Sequence, residues 1–434
     1  FDIECVAQYA QNTRERLPII YVDDDAPDGG NGMSWETAFI NLQDALNAAE
    51  STNGDVNEIR VAQGVYRPDR DFTDPNGSGN RSATFGLING VVIKGSYAGL
   101  GEPEPNARDI DVYETILSGD LDGNDMGNLD DPSRDENSYH VVTGSQTDPN
   151  TILDGFIITA GKADGSDSDS DGAGMYNYEG SPTLIDCTFS ANLAVRNGAG
   201  MHNSYGSPVL TNCEFRNNSA GNRGGGMYCY WSDATLSNCI FSGNSAVTGG
   251  GVRTYSSDSM LDNCTFSSNS ATLGGGVYNY EGNPTLTNCI LWGDTPEEIY
   301  VSSGTPVVTY SDVQGGWSGS GNNNIAVDPC FADSNSGDYH LKSEVGRWRP
   351  SIYTKLDPAD DGFIDLVDFA VFASFWRDEG IEIPADLDNS GLVDLVDLRL
   401  LLDNYLADYS LGEWVFDDVN SSCIDMGDST SDWT

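Results

Sequence analysis

Five cysteines, Cys187, Cys213, Cys239, Cys264 and Cys289, recur at steps of 26, 26, 25 and 25 residues. The residues around them repeat in register. Leu184, Leu210, Leu236, Leu261 and Leu286 precede the cysteines by three positions. Phe189, Phe215, Phe241 and Phe266 follow by two, and Asn192, Asn218, Asn244 and Asn269 by five. Met175, Met201, Met227, Val252 and Val277 each follow a Gly-rich triplet. A fixed period of this length marks a solenoid, in which each turn touches only its neighbours and sets like residues over like.

Three short strands joined by bends use about 25 residues per turn, and turns stack at roughly 4.8 Å. Cys and Phe two positions apart face the same side of a strand, so both are expected to point inward. The residue before each cysteine is Asp186, Asn212, Asn238, Asn263 or Asn288. Asp and Asn tolerate the left-handed backbone of a sharp bend, and a buried asparagine column can hydrogen-bond along the stack. The triplets from Gly172-Ala173-Gly174 to Gly274-Gly275-Gly276 supply another corner. No L-x-x-L-x-L signature occurs, which excludes leucine-rich repeats. The expected fold is mainly β, a right-handed parallel β-helix with three strands per coil.

The ends of the solenoid read differently. Residues 1–18 belong to no coil and suit a contact between subunits. Residues 19–150 hold the first coils, with a capping helix expected over Trp35–Glu50, N-capped by Ser34 and burying Trp35, Phe39, Leu42, Leu46 and Ala49. Residues 151–350 hold the regular repeats and late, irregular coils to about Trp348. Residues 351–410 carry two copies of an acidic loop running into an apolar-periodic helix, offset by 29 residues, and 411–434 return to strand patterning as a terminal coil. The helical pair is therefore expected as an insert in the last coil, with Cys330 and Cys423 flanking it as the best disulfide candidates.

The pairing of FSAN, FRNN, FSGN and FSSN with the Gly-rich corners, over about 150–304, resembles the repeats of polymorphic outer-membrane adhesins and autotransporter passengers. That resemblance implies a secreted or surface-displayed β-helix. The stretch YVDDDAPDGGNGMSWETAFINLQDALNAA followed by EIRVAQGVYRP resembles the start of large bacterial surface β-helix proteins with a pectin-lyase-like fold.

The second acidic loop places Asp386, Asp388, Ser390, Leu392, Asp394 and Asp397 at EF-type positions 1, 3, 5, 7, 9 and 12, with Gly391 at the sharp turn. Leu392 offers a backbone carbonyl, and hard oxygens at this spacing suit Ca2+. The first loop offers Asp357, Asp361, Phe363, Asp365 and Asp368; Ala359 removes one ligand, so this site is expected to be weaker. Two such units resemble a type I dockerin over about 355–408, which implies two Ca2+ ions and a cohesin-like partner. The internal placement sets the chain apart from that family. Asp167, Asp169 and Asp171, and likewise Asp120, Asp122 and Asp125, read as solvated loops.

The 434 residues carry 68 Asp plus Glu against 20 Lys plus Arg, a formal charge of −48. Such a surface repels phosphate backbones and anionic lipid, which argues against nucleic-acid binding. No apolar run reaches the length of a membrane span. The chain starts at Phe1 with no signal-like segment, which reads as a mature protein that has lost its targeting sequence. The acidity suits an extracellular, calcium-bathed setting; the alternative is a plain solubilising coat.

Pectate lyases and polygalacturonases have this kind of fold, so catalysis must be weighed. Between Ala163 and Leu341 the basic residues Arg196, Arg216, Arg223 and Arg253, with His202, do not fall on one repeat position with carboxylates beside them, and His140 and His340, each after a Tyr at a strand start, read as structural. No catalytic residues are assigned. Two aromatic columns stand out instead: Tyr176, His202, Tyr228 and Tyr278, and, two residues later, Tyr178, Tyr230, Tyr255 and Tyr280. At least one is expected to project outward, against sugar rings or a neighbouring subunit. The five ladder cysteines are expected as buried thiols. Asn76, Asn80, Asn217, Asn263 and Asn420 begin N-x-[ST] sequons. The sequence thus points to a non-catalytic extracellular structural protein that assembles with itself, plausibly as a glycosylated fibril. The alternatives are a surface adhesin or glycan-binding protein, and then a polysaccharide lyase or hydrolase.

Overall fold

The structure, a computed structural model, describes residues 19–51, 56–126, 128–334 and 337–342, with the backbone of 347–349 and 413–415. Both EF-type loops (Asp357, Asp361, Phe363, Asp365, Asp368 and Asp386, Asp388, Ser390, Leu392, Asp394, Asp397), Cys5, Cys423 and Asn420 lie outside the described residues. The chain divides into two compact units, Phe1–Pro329 with Asp425–Thr434, and Cys330–Ile424.

Among the described residues the first unit is wound as a parallel solenoid of three long sheets. A ten-stranded sheet runs from Ile19–Val22 to Val307–Thr309, a nine-stranded sheet from Gly64–Tyr66 to Asp312–Val313, and an eight-stranded sheet from Phe85–Gly86 to Ile299–Val301. The repeat columns become ladders. Leu184, Leu210, Leu236, Leu261 and Leu286 pair in succession. Met175, Met201, Met227, Val252 and Val277 do so in the eight-stranded sheet. The rings of Phe189, Phe215, Phe241 and Phe266 stack at 4.7, 4.8 and 4.9 Å with 5° between planes, one ring per strand spacing. Ile158 before them and Leu291 after them continue that column.

The five ladder cysteines are free thiols, all buried. Each Sγ donates to the carbonyl two residues back, as Cys187 does to Ile185 at 3.2 Å and Cys239 to Ser237 at 3.4 Å. One coil on, Ser311 Oγ makes the same contact to Thr309 at 2.8 Å. The bend before each cysteine is left-handed, with φ of 50° at Asp186 and 54°, 56°, 55° and 54° at Asn212, Asn238, Asn263 and Asn288.

That bend column is not the buried asparagine ladder. Asn212 is exposed and Asp186, Asn238, Asn263 and Asn288 are half-buried, and Asn212 Nδ2 still reaches Asp186 Oδ1 at 3.0 Å. The buried ladder is Asn192, Asn218, Asn244 and Asn269, each fully buried. There the chain leaves the nine-stranded sheet and the amide turns inward between coils. Asn218, Asn244 and Asn269 each donate Nδ2 to a phenylalanine carbonyl of the preceding coil, at 2.8 Å.

The capping helix is shorter than its apolar spacing predicts. Trp35–Thr37 forms a 3-10 turn, and the α-helix α1 covers Leu42–Ser51, burying Leu42, Ala45, Leu46 and Ala49. Phe39 is taken by a backbone bridge instead: it donates to Tyr21 O at 3.0 Å and its carbonyl accepts from Asp23 at 2.8 Å. Ser34 makes no side-chain cap. The helix packs on Ile19–Val22, the edge strand of the ten-stranded sheet.

In the second unit the described backbone pairs antiparallel, not as coils. Phe331–Asp333 pairs with Asp338–Leu341, and Arg347–Arg349 with Glu413–Val415. The second pairing brings together the two ends of the 350–412 stretch. No helix among the described residues is long and apolar enough to cross a membrane.

Candidate functional site

The strands Met175–Tyr178, Met201–Ser204, Met227–Tyr230, Val252–Tyr255 and Val277–Tyr280 alternate their side chains. Their first and third residues enter the core; the second and fourth face out. The two outward columns have opposite fates.

The first column is closed. His140, Tyr176, His202 and Tyr228 follow one another at 5.1, 5.4 and 5.4 Å between ring centroids. Arg253 lies 5.7 Å from the Tyr228 ring and 4.8 Å from Tyr278, which stacks on Tyr300 at 5.2 Å. His202, Tyr228, Arg253 and Tyr278 are buried although they point away from the core. The Gly corner explains this. Gly198 and Gly224 have φ of 58° and 60°, and a Cβ there would lie 2.5 and 2.3 Å from the carbonyls of Met201 and Met227. Only glycine lets the chain fold back against the strand, and the folded-back ladder of Asp171, Asn197, Arg223, Thr248 and Leu273 forms a wall along the column.

That wall places a carboxylate beside two of these basic groups, Arg196 and His202, which corrects the expectation that they have no carboxylates beside them. Arg196 Nε donates to Asp171 Oδ1 at 2.9 Å, Arg196 Nη2 bonds Asp171 Oδ2, and Asn197 Nδ2 donates to Oδ1 at 2.8 Å. Asp169 lies 3.7 Å from His140 Nε2, so Asp169 and Asp171 serve this wall instead of an open acidic loop. His202 Nε2 meets Ser204 Oγ at 2.6 Å, and its Nδ1 lies 4.0 Å from Asp171 Oδ2. A serine, a histidine and an aspartate in that order have the form of a nucleophile, base and orienting acid. Here 4.0 Å is too long for the orienting hydrogen bond, Asp171 is engaged by Arg196 and Asn197, and Ser204 is buried. Burial pushes His202 down to about 4, so the ring is a neutral packing element.

The second column is open. Tyr178, Tyr205, Tyr230, Tyr255 and Tyr280 form a continuous row, with centroids 5.8, 5.5, 5.0 and 5.0 Å apart. Tyr178 is 39% exposed, Tyr205 51% and the adjacent Trp231 53%. The sequence reading missed Tyr205 because Ser204 holds the column position; Tyr205, one residue later at φ 58°, swings its ring into the gap. The signal was a tyrosine directly after the one non-aromatic member among the flanking tyrosines. Glu179 and Glu281 end the row, and their charges push the Tyr178 and Tyr280 hydroxyls up.

Other acidic groups among the described residues lie apart from these columns, Asp23, Asp24 and Asp25 in one of them. Asp120, Asp125 and Glu136 have carboxylate oxygens within 4.8 Å of one another, with the Arg134 guanidinium 3.2 Å from Asp125. At the end of the asparagine ladder, Asp294 and Glu298 form a buried carboxyl pair, and burial raises both.

Residues 168–328 match a family described as "Right handed beta helix region", and residues 307–361 match one described as "Disaggregatase related". No curated protein matches the chain. Among solved structures, the pectate lyase Pel9A is similar with a TM-score of 0.46 and 13% identity, over 75% of this chain and 85% of that one. The pectin methylesterase from Aspergillus niger, in deglycosylated form, is similar with a TM-score of 0.32 and 13% identity, over 74% of this chain and 88% of that one. The solenoid is a right-handed parallel β-helix; at these distances no chemistry transfers from either enzyme.

Proposed function

We propose that the chain is an extracellular binding protein whose β-helix presents the tyrosine row Tyr178–Tyr205–Tyr230–Tyr255–Tyr280 to an uncharged polysaccharide. The supporting observation is that row: five rings on successive coils, 5.0 to 5.8 Å apart, with Tyr178 and Tyr205 exposed and Tyr230, Tyr255 and Tyr280 half-buried. Aromatic rings bury apolar sugar faces while their hydroxyls hydrogen-bond the rims. Glu179 and Glu281 and the charge of −48 favour a neutral glycan over a polyuronate. Binding without turnover fits the sealed state of the His202 column. Ca2+ in the EF-type loops, and self-association of chains, belong to the same extracellular reading.

The test is co-sedimentation with insoluble cellulose, chitin and xylan, beside soluble polyuronate on an affinity gel. Binding to a neutral polymer is expected, weakened about tenfold or more in Tyr230→Ala/Tyr255→Ala, since each ring contributes about 0.5–1.5 kcal/mol. Release of unsaturated or reducing ends would replace this reading with the lyase or hydrolase. Loss of oligomer in the same double variant, with glycan binding absent, would assign the row to self-assembly.

A further inference from the structure

Where the chain leaves the eight-stranded sheet, successive coils turn through left-handed residues: Glu179, Tyr205, Trp231, Ser256 and Glu281, with φ of 57°, 58°, 49°, 49° and 52°. Their amides bond along the stack, Tyr205 N donating to Tyr230 O at 3.1 Å and Trp231 N to Tyr255 O at 2.9 Å, so Tyr205 and Trp231 lie one coil apart. This conformation favours Gly, Asn and Asp and penalises an aromatic side chain. Packing does not offset that cost. Both rings are more than half exposed, and among the described residues Trp231 makes no ring contact and its indole N–H meets no acceptor.

The charge around these two rings has one sign. Asp233 stands two residues beyond Trp231 and accepts from Asp258 N at 2.7 Å, and Asp258 Oδ1 accepts from Asn283 N at 2.7 Å. Glu179 and Glu281 close the two ends of the left-handed column. All four carboxylates are exposed, and none is in an ion pair among the described residues. No Lys, Arg or His occurs in 178–181, 204–207, 230–233, 255–258 or 280–283. An open aromatic face beside unpaired carboxylates complements an ammonium group, which the ring attracts through its π-face, tryptophan most strongly, and the acids through their charge. We propose that the Tyr205–Trp231 corner, with Glu179 and Asp233, recognises a protonated amine on an otherwise neutral polysaccharide, the chemistry of a partly de-N-acetylated aminosugar polymer. This rests on the reading of the tyrosine row as a glycan face and adds what that glycan carries. Both attractions need the positive charge, so an N-acetylated residue loses them.

The experiment is calorimetric titration of the full chain with a soluble glucosamine oligomer, its amines protonated, and with the fully N-acetylated oligomer of the same length. The wild type is expected to bind the amine form about tenfold tighter. Trp231→Asn and Asp233→Asn are each expected to cut that ratio about two- to fivefold. Asparagine suits a φ of 49°, as Asn212, Asn238 and Asn288 show at 54° to 56°, so Trp231→Asn has reason to fold. Glu102→Gln, an exposed acid on the opening coils, is expected to leave the ratio unchanged, which separates the corner from the charge of the whole chain. Equal affinities for the two oligomers would overturn the proposal and leave the row intact. A ratio that both corner variants leave untouched, or that Glu102→Gln lowers as much, would overturn it too. Binding of neither oligomer would do the same, and the cellulose and xylan measurements then tell whether the reading of the row fails with it.

Discussion

Asn244 donates its side-chain amide to Asn269 Oδ1 at 2.9 Å and to the Phe215 carbonyl at 2.8 Å. Its own Oδ1 accepts from Asn218 twice, from the backbone N–H and from Nδ2, both at 3.0 Å. The amide dipoles along the ladder therefore point one way, from Asn192 toward Asp294. Each coil from that of Asn192 to that of Asp294 is tied to the next by a group that no solvent reaches.

Breaking one rung strands partners on both sides. Asn244→Ala removes the acceptor of the buried Asn218 N–H and of one hydrogen of the Asn218 amide, whose other hydrogen stays on the Phe189 carbonyl, and takes the side-chain donor from the Phe215 carbonyl. At about 1–3 kcal/mol for each unsatisfied group, the expected loss is about 3 kcal/mol or more. Denaturant unfolding reads it as a lower midpoint at constant slope; a change under about 1 kcal/mol would contradict the role given to the ladder.

The phenylalanine column should distinguish volume from aromaticity. Phe241→Ala opens a cavity between rings 4.8 and 4.9 Å away and is expected to cost about 3–5 kcal/mol. Phe241→Leu places there the residue that Leu291 already contributes one coil beyond Phe266, and is expected to cost less than about half as much. Comparable midpoints for the two variants would contradict a tightly packed stack.

His202 makes stability depend on pH. Its folded pKa, about 4, lies below the ordinary histidine value of 6.5, because burial penalises the charged ring. Between these values the unfolded chain binds the extra proton. The contribution of the neutral ring is thus complete above pH 6.5 and is lost as pH falls toward 4. At about 1.4 kcal/mol per unit the loss approaches about 3 kcal/mol, and His140, also shifted down by burial, adds in the same direction. Unfolding curves from pH 7 to 4 should be shallower for His202→Gln; an unchanged slope would sink the assignment.

The thiols should be silent in the folded protein. Cys187, Cys213, Cys229, Cys239, Cys264 and Cys289 are buried, and burial pushes the Cys229 thiol up to about 12. Since the thiolate is the reactive form, peptide mass mapping after brief iodoacetamide treatment should find these six unmodified until denaturant is added. Rapid alkylation of any ladder cysteine in the native state would mean that the coils open locally.

The repeat alone determined the solenoid, its period and the inward set of Leu, Cys, Phe and Met, because a stacked coil converts equal sequence offsets into equal positions in space. The same rule told which residues share a column, including Tyr178, Tyr230, Tyr255 and Tyr280. It was silent on what lies between columns. That the Tyr176–His202–Tyr228 column is sealed while Tyr178–Tyr280 is open was decided by the left-handed Gly198 and Gly224, whose folded-back wall covers the former alone. Arg196 and Asp171 sit at different offsets in adjacent coils and meet only across that corner. The buried asparagine ladder was assigned to the wrong column for the same reason. Both asparagine positions suit a bend, and only the direction in which each bend turns its side chain separates a surface row from a core one.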